Sequence, residues 1–254
     1  MQFKLGKLPA RPNSVKLKFA KYVNFAALPK PPSNFGHTNL LRGPQGLLGN
    51  DDYGDCVWAG AAHETMLWNA EAGTPVQFTT DSVLSDYSAV TGFSKADPNS
   101  DQGTDMQKAA SYRLKTGIVD AKGERHKIAA YLALEAGNLQ EVLVASWLFG
   151  LVGLGLVLPE SAQEQFQNGQ AWDLVPGSPD DGGHYVPAMA RRCGQLIVST
   201  WGTFEPVADP FFKAKNDEGL VYLSDEMLKN DQSIDGFKRA ALVDDLSQIG
   251  RPIS

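Results

Sequence analysis

An α+β fold is predicted for this chain, and three observations lead there. Helical periodicity governs residues 56–148, and short strand-like apolar runs follow in 151–223. The two side chains suited to covalent chemistry, Cys56 and His184, come one from each half. Helices first and strands later place chemistry where the halves meet.

The chain of 254 residues is long enough for one large domain or two half-domains sharing a cleft. Residues 1–49 hold Pro9, Pro12, Pro29, Pro31, Pro32 and Pro44 and keep no lasting period. They are expected to form an extended N-terminal arm crossing the surface of the domain or of a partner. Its basic residues, Lys4, Lys7, Arg11, Lys16, Lys18 and Lys21, read as a solvated face.

Residues 50–254 form the expected domain. A helix is predicted from Cys56 to Ala72, with small residues Ala59–Ala62 and then Met66, Leu67 and Ala70, ended by Gly73-Thr74-Pro75. A second runs from about Asp81 to Val90, and Gly92–Gly103 is a polar loop. Thr104 and Gln107 make a capping-box pattern before Met106, Ala109, Ala110 and Leu114, and Gly117 stops that helix. Asn138 and Glu141 repeat the device for a helix through Leu148, closed by Gly150. Leu151–Leu158 is a buried strand, and Tyr185–Arg191, Leu196–Thr200 and Leu220–Leu223 are further strands.

Composition excludes several function classes. A net charge of -6 argues against nucleic-acid binding, which needs a basic surface. The longest apolar run, Val142–Leu158, is broken by Ser146 and three glycines, so no membrane span is expected. Two cysteines and a start without an apolar signal segment favour a reducing, cytoplasmic or virion-associated location. His37, His63 and His126 show no metal-ligand spacing, and no nucleotide-binding glycine motif occurs, so neither metal nor cofactor is expected.

The informative segment is Asn50-Asp51-Asp52-Tyr53-Gly54-Asp55-Cys56. A thiol at a helix start feels the positive end of the helix dipole, which favours the reactive thiolate and lowers its pKa. Gly54 permits a tight entry. Taken alone, Cys56 could equally be an inert packing residue, since free cysteine is among the most buried types. His184 follows the predicted turn Asp180-Asp181-Gly182-Gly183 and opens a strand, where a base can face a nucleophile from a distant helix. The segment Ser199-Thr200-Trp201-Gly202-Thr203 could then orient and shield the imidazole.

In order and spacing these segments resemble the papain superfamily of cysteine peptidases. That family has a Gln six positions before the nucleophilic Cys, a Gly two before it, a downstream His, and then Asn-Ser-Trp-Gly-Thr. Asn50, Gly54, Cys56, His184 and Ser199–Thr203 fall on those positions. Tyr22–Phe25 resembles the start of the mature family domain, 138–158 its helix and strand, and Glu218–Leu223 its closing strand.

The resemblance implies a papain-like fold in which the nucleophile helix packs against an antiparallel β half. It also implies a thiol hydrolase acting on a peptide or protein by acyl transfer. Cys56 would be nucleophile, His184 base, Asn50 oxyanion donor and Ser199 the residue orienting His184, with Trp201, Gly54 and Gly183 lining the substrate cleft. Asn50 replaces the family Gln, Ser199 the family Asn, and Val57 the usual Trp. A second reading follows from those departures and from the long arm. It is a catalytically degenerate papain-fold protein kept for binding or assembly, in a phage particle or another complex, docking through residues 1–49.

Overall fold

A computed structural model of the chain describes residues 2–21, 23, 25, 29–41 and 45–224. The domain is thus described as far as Ser224. Of the Tyr22–Phe25 segment, Tyr22 and Asn24 lie outside the described residues.

After a two-residue strand β1 (Phe35–Gly36), helix α1 spans Cys56–Glu71 and is buried almost all round. Its small residues explain how it packs so closely. A Cβ at Gly60 would stand 2.5 Å from the Tyr185 ring, so only glycine lets the helix meet the sheet there. Helix α2 (Thr80–Thr91) starts with a reciprocal Thr79–Ser82 capping box and ends at Gly92, whose φ of 79° suits glycine. Helix α3 (Met106–Lys115) is capped by Asp105 rather than by the predicted Thr104. The Asp105 carboxylate accepts from the N–H groups of Gln107 and Lys108, and the Thr104 hydroxyl accepts from the Trp58 indole instead.

A small hairpin of β2 (Ile118–Val119) and β3 (Arg125–His126) precedes β4 (Ile128–Leu134). Helix α4 (Leu139–Phe149) is capped by Asn138, as its sequence predicts, and leads into β5 (Val152–Pro159). Then come α5 (Glu160–Gln167), β6 (Asp180–Arg192), β7 (Gln195–Thr200), β8 (Thr203–Val207), α6 (Asp209–Lys215) and β9 (Asn216–Ser224). Strand β6 begins at Asp180, so the predicted turn at Asp180–Gly183 is strand.

The main sheet runs β4-β9-β5-β6-β7-β8, all neighbours antiparallel, with β1 added on β6. Alternation along β6 feeds two cores. Tyr185 and Met189 join the apolar cluster of α1, α2 and α3, while Val186 and Ala188 join the cluster containing α4 residues Val142, Val144 and Ala145. Such burial is worth roughly 1.5–3 kcal/mol for each large apolar side chain. No described helix is long and apolar enough to cross a membrane.

One charged group lies inside the helical core. Glu64 of α1 pairs with Arg113 of α3 at 2.7 Å, both buried, and accepts from the Tyr185 hydroxyl at 2.5 Å. The Arg113 guanidinium also lies 4.3 Å from the Tyr222 ring centroid. This network anchors Tyr185, the neighbour of His184.

Candidate active site

Cys56 is the first residue of α1 and is 1% exposed. The backbone amides of Tyr185 and Gly6 lie close enough to its sulfur to favour the thiolate. The Tyr185 contact sets the sulfur against β6, one residue from His184. Burial outweighs these amides and pushes the Cys56 thiol up to about 12, with Asp55 adding to the rise. The sequence predicts a lowered thiol pKa from the helix dipole. In this structure desolvation wins, because the cleft is covered.

His184 is wholly buried, and burial lowers its pKa to about 3. Its Nε2 lies 2.8 Å from the Thr200 hydroxyl, and its Nδ1 has no hydrogen-bond partner among the described residues. Trp201 stacks on the imidazole, with ring centroids 4.8 Å apart and planes 25° apart. The indole reaches that position through a tight β7–β8 turn in which Trp201 and Gly202 both have positive φ, 44° and 77°. Trp172 approaches His184 edge-on at 6.3 Å.

Ser199 does not sit beside His184. Its hydroxyl donates to Gln45 Oε1 at 2.8 Å and lies 3.1 Å from His63 Nδ1, in a separate buried cluster. His63 also meets the Gln45 and Gly46 carbonyls, and burial lowers its pKa to about 4. A change of register between β6 and β7, next to Ala190, and the positive-φ turn put Thr200 on the imidazole face. Sequence reasoning passed over Thr200, and only its place one residue before Trp201 hinted at it.

Asn50 is buried, and its side-chain amide donates to the carbonyls of Lys4 and Tyr53, each at 3.3 Å. The Gly54 N–H donates to both carboxylate oxygens of Asp101 at 3.1 Å. Asp55, which precedes the thiol, has its carboxyl pushed well above the ordinary range, chiefly by burial.

The arm supplies what the sequence did not foresee. Residues 3–8 lie in the chain's own cleft as an extended strap. Phe3 stacks on Trp201 at 4.5 Å, and its N–H donates to Gln163 Oε1 at 2.7 Å. The Lys7 N–H donates to the Gly183 carbonyl at 2.9 Å, Thr104 N–H to the Gly6 carbonyl at 2.7 Å, and Leu8 N–H to the Thr104 carbonyl at 3.0 Å. A side chain at Gly6 would collide with the Gly54 carbonyl, and side chains at Gly103 or Gly183 would strike the strap backbone. Beyond the strap, the Arg11 guanidinium clamps the Asp105 carboxylate through two bonds of 2.5 and 2.7 Å. Of the basic cluster read as solvated, Lys7 is buried.

Asp120, Glu124 and His126 come within 4.8 Å of one another at the β2–β3 hairpin. Asp120 there accepts the N–H groups of Lys122 and Glu124 and faces His126 at 3.4 Å, so the hairpin itself uses that carboxylate.

No family model and no curated protein matches the chain. Solved structures do. Xylellain, a cysteine protease from Xylella fastidiosa, superposes with a TM-score of 0.64 at 12% identity, covering 88% of this chain and 98% of that one. Procathepsin B S9 from Trypanosoma congolense gives 0.62 at 11% identity, over 87% and 86%. A cysteine protease of Carica candamarcensis gives 0.55 at 12% identity, over 76% and 98%. A helical half led by Cys56, an antiparallel β half bearing His184, and these superpositions together establish that the chain has the papain-like fold.

Proposed function

We propose that the chain is a thiol-dependent hydrolase of the cysteine-peptidase kind, acting on a peptide or protein substrate by acyl transfer. One observation carries this reading: Cys56 opens α1 against Tyr185 of β6, beside a histidine whose Nε2 is held by Thr200 and whose Nδ1 has no hydrogen-bond partner among the described residues. When Thr200 accepts from Nε2–H, Nδ1 carries the lone pair and can take the thiol proton. The thiolate then attacks the substrate carbonyl, and the imidazolium returns the proton to the departing amine. Water, deprotonated by the same imidazole, releases the acyl group as a carboxylic acid. The Cys56 N–H and the Asn50 amide serve the oxyanion, and loss of one such donor typically costs about 10²–10³ in rate. Support for Asn50 comes from the Lys4 carbonyl oxygen, which already accepts from that amide.

In the strapped form neither partner is charged at neutral pH, since burial holds the thiol protonated and the imidazole neutral. Chemistry therefore begins when the strap leaves. The test is alkylation of Cys56 by iodoacetamide at pH 6, followed by peptide mapping with exposed Cys193 as internal reference. Gly6→Ala, which cannot seat the strap, is expected to label faster than the parent. His184→Ala added to Gly6→Ala should slow labelling again. Equal rates for Gly6→Ala with and without His184 would show that no cysteine–histidine pair operates.

A further inference from the structure

Lys7 is the one residue of the 3–8 strap that is fully buried, and its surroundings are unusual for a lysine. The side chain is 0% exposed. Its ammonium meets Asp217 Oδ2 at 2.8 Å, Glu218 Oε1 at 3.2 Å and the Leu8 carbonyl at 3.0 Å. Three N–H donors thus find three acceptors, the condition under which a buried charge is tolerated. The aliphatic stem lies over Gly155, where a Cβ would collide with it. Asp217 and Glu218 open β9, and Gly155 is paired with Glu218 across the β5–β9 ladder. The pocket therefore belongs to the sheet, while its occupant belongs to a strap held by backbone bonds that other extended chains could also make. Once Lys7 withdraws, two adjacent carboxylates are left facing the cleft without the ammonium that joined them.

We infer that this pocket, floored by Gly155 and closed by Asp217 and Glu218, selects a lysine or arginine side chain in the extended peptide that the cleft accepts when the strap is out. The inference rests on the hydrolase reading and gives it a substrate class: peptides carrying a basic residue at the position that enters the Lys7 pocket. A neutral side chain of equal length leaves both carboxylates without a partner, whereas an ammonium or guanidinium satisfies them with charge-assisted bonds.

Full-length Gly6→Ala opens the cleft and leaves the pocket intact. Lys7→Ala is a second opener, which withdraws the buried cation directly. Each is incubated with blocked hexapeptide pools, randomised except for one central Lys, Arg or norleucine, and protection of Cys56 from iodoacetamide is measured. The Lys and Arg pools are expected to protect at roughly 10- to 100-fold lower concentration than the norleucine pool. Adding Asp217→Asn and Glu218→Gln should erase that preference. Equal protection by norleucine in both openers, or a basic preference that survives loss of both carboxylates, overturns the inference. Turnover is scored separately by released amines. Basic-selective protection without hydrolysis upholds the pocket and sinks the hydrolase reading. Hydrolysis indifferent to the central residue upholds the hydrolase and sinks the pocket.

Discussion

Replacing Thr200 by Val tests whether this residue, rather than Ser199, holds the imidazole. Valine keeps the branched shape of threonine and removes only the hydroxyl, which sits 2.8 Å from His184 Nε2. Both groups are buried, so the variant leaves an imidazole nitrogen without a partner, at a stability cost of about 1–3 kcal/mol. Loss of orientation is a smaller effect. A neutral hydrogen bond is worth about 0.5–1.5 kcal/mol, which corresponds to a rate reduction of roughly 2- to 13-fold. The assay is Cys56 alkylation at pH 7 in the Gly6→Ala background, with urea denaturation run in parallel. Ser199→Ala should lower stability, since it breaks the bond to Gln45, yet leave the alkylation rate alone. Ser199→Asn, which the sequence pattern alone would nominate as a gain of function, should bring no improvement because it adds volume beside His63. Unchanged labelling in Thr200→Val, or slowing by Ser199→Ala to the same degree, would refute the assignment.

Two further expectations concern the frame behind the site. Glu64→Gln leaves Arg113 buried without its counter-charge and should destabilise by about 3–5 kcal/mol in urea denaturation, whereas Glu64→Gln with Arg113→Met should recover most of that loss; an equal or greater loss in the double variant would contradict this. His63, whose pKa falls from 6.5 to about 4 on burial, binds a proton more readily in the unfolded chain throughout that window. Stability from this group is therefore full above pH 6.5 and drains away as pH falls, at about 1.4 kcal/mol per unit. The margin of the parent over His63→Gln should shrink by about 2 kcal/mol between pH 6.5 and 5. A margin that does not change with pH would show that His63 titrates normally.

What the sequence made legible was local. Cys56 opens a helix because Gly54 and Asp55 end the preceding turn, Asn138 caps α4 through its own side chain, and β5 shows as an apolar run interleaved with glycine. What stayed hidden depended on partners distant in the chain. Asp180–Gly183 has the composition of a turn, yet it is strand. A side chain at Gly183 would strike the Lys7 backbone, a constraint that no local pattern encodes. The choice between Ser199 and Thr200 turned on a register change between β6 and β7, which reverses the expected facing of neighbouring residues. Residues 3–8 of the arm are extended, but 3-10 turns at Phe19–Lys21 and Thr38–Leu40 interrupt the rest of its described length. The destination of the strap was hidden, because a lone lysine in a basic, proline-punctuated stretch gives no sign of the two carboxylates more than 200 positions away.

The strap is held by backbone bonds to Gly183 and Thr104 and remains part of the same chain. Because the strap stays tethered, it competes for the cleft at an effective concentration on the order of millimolar, whatever the dilution of the protein. On the hydrolase reading proposed above, occupancy by a substrate peptide becomes a contest against that fixed internal competitor. Weak ligands lose it at ordinary concentrations, because the competitor raises every apparent dissociation constant by the same factor.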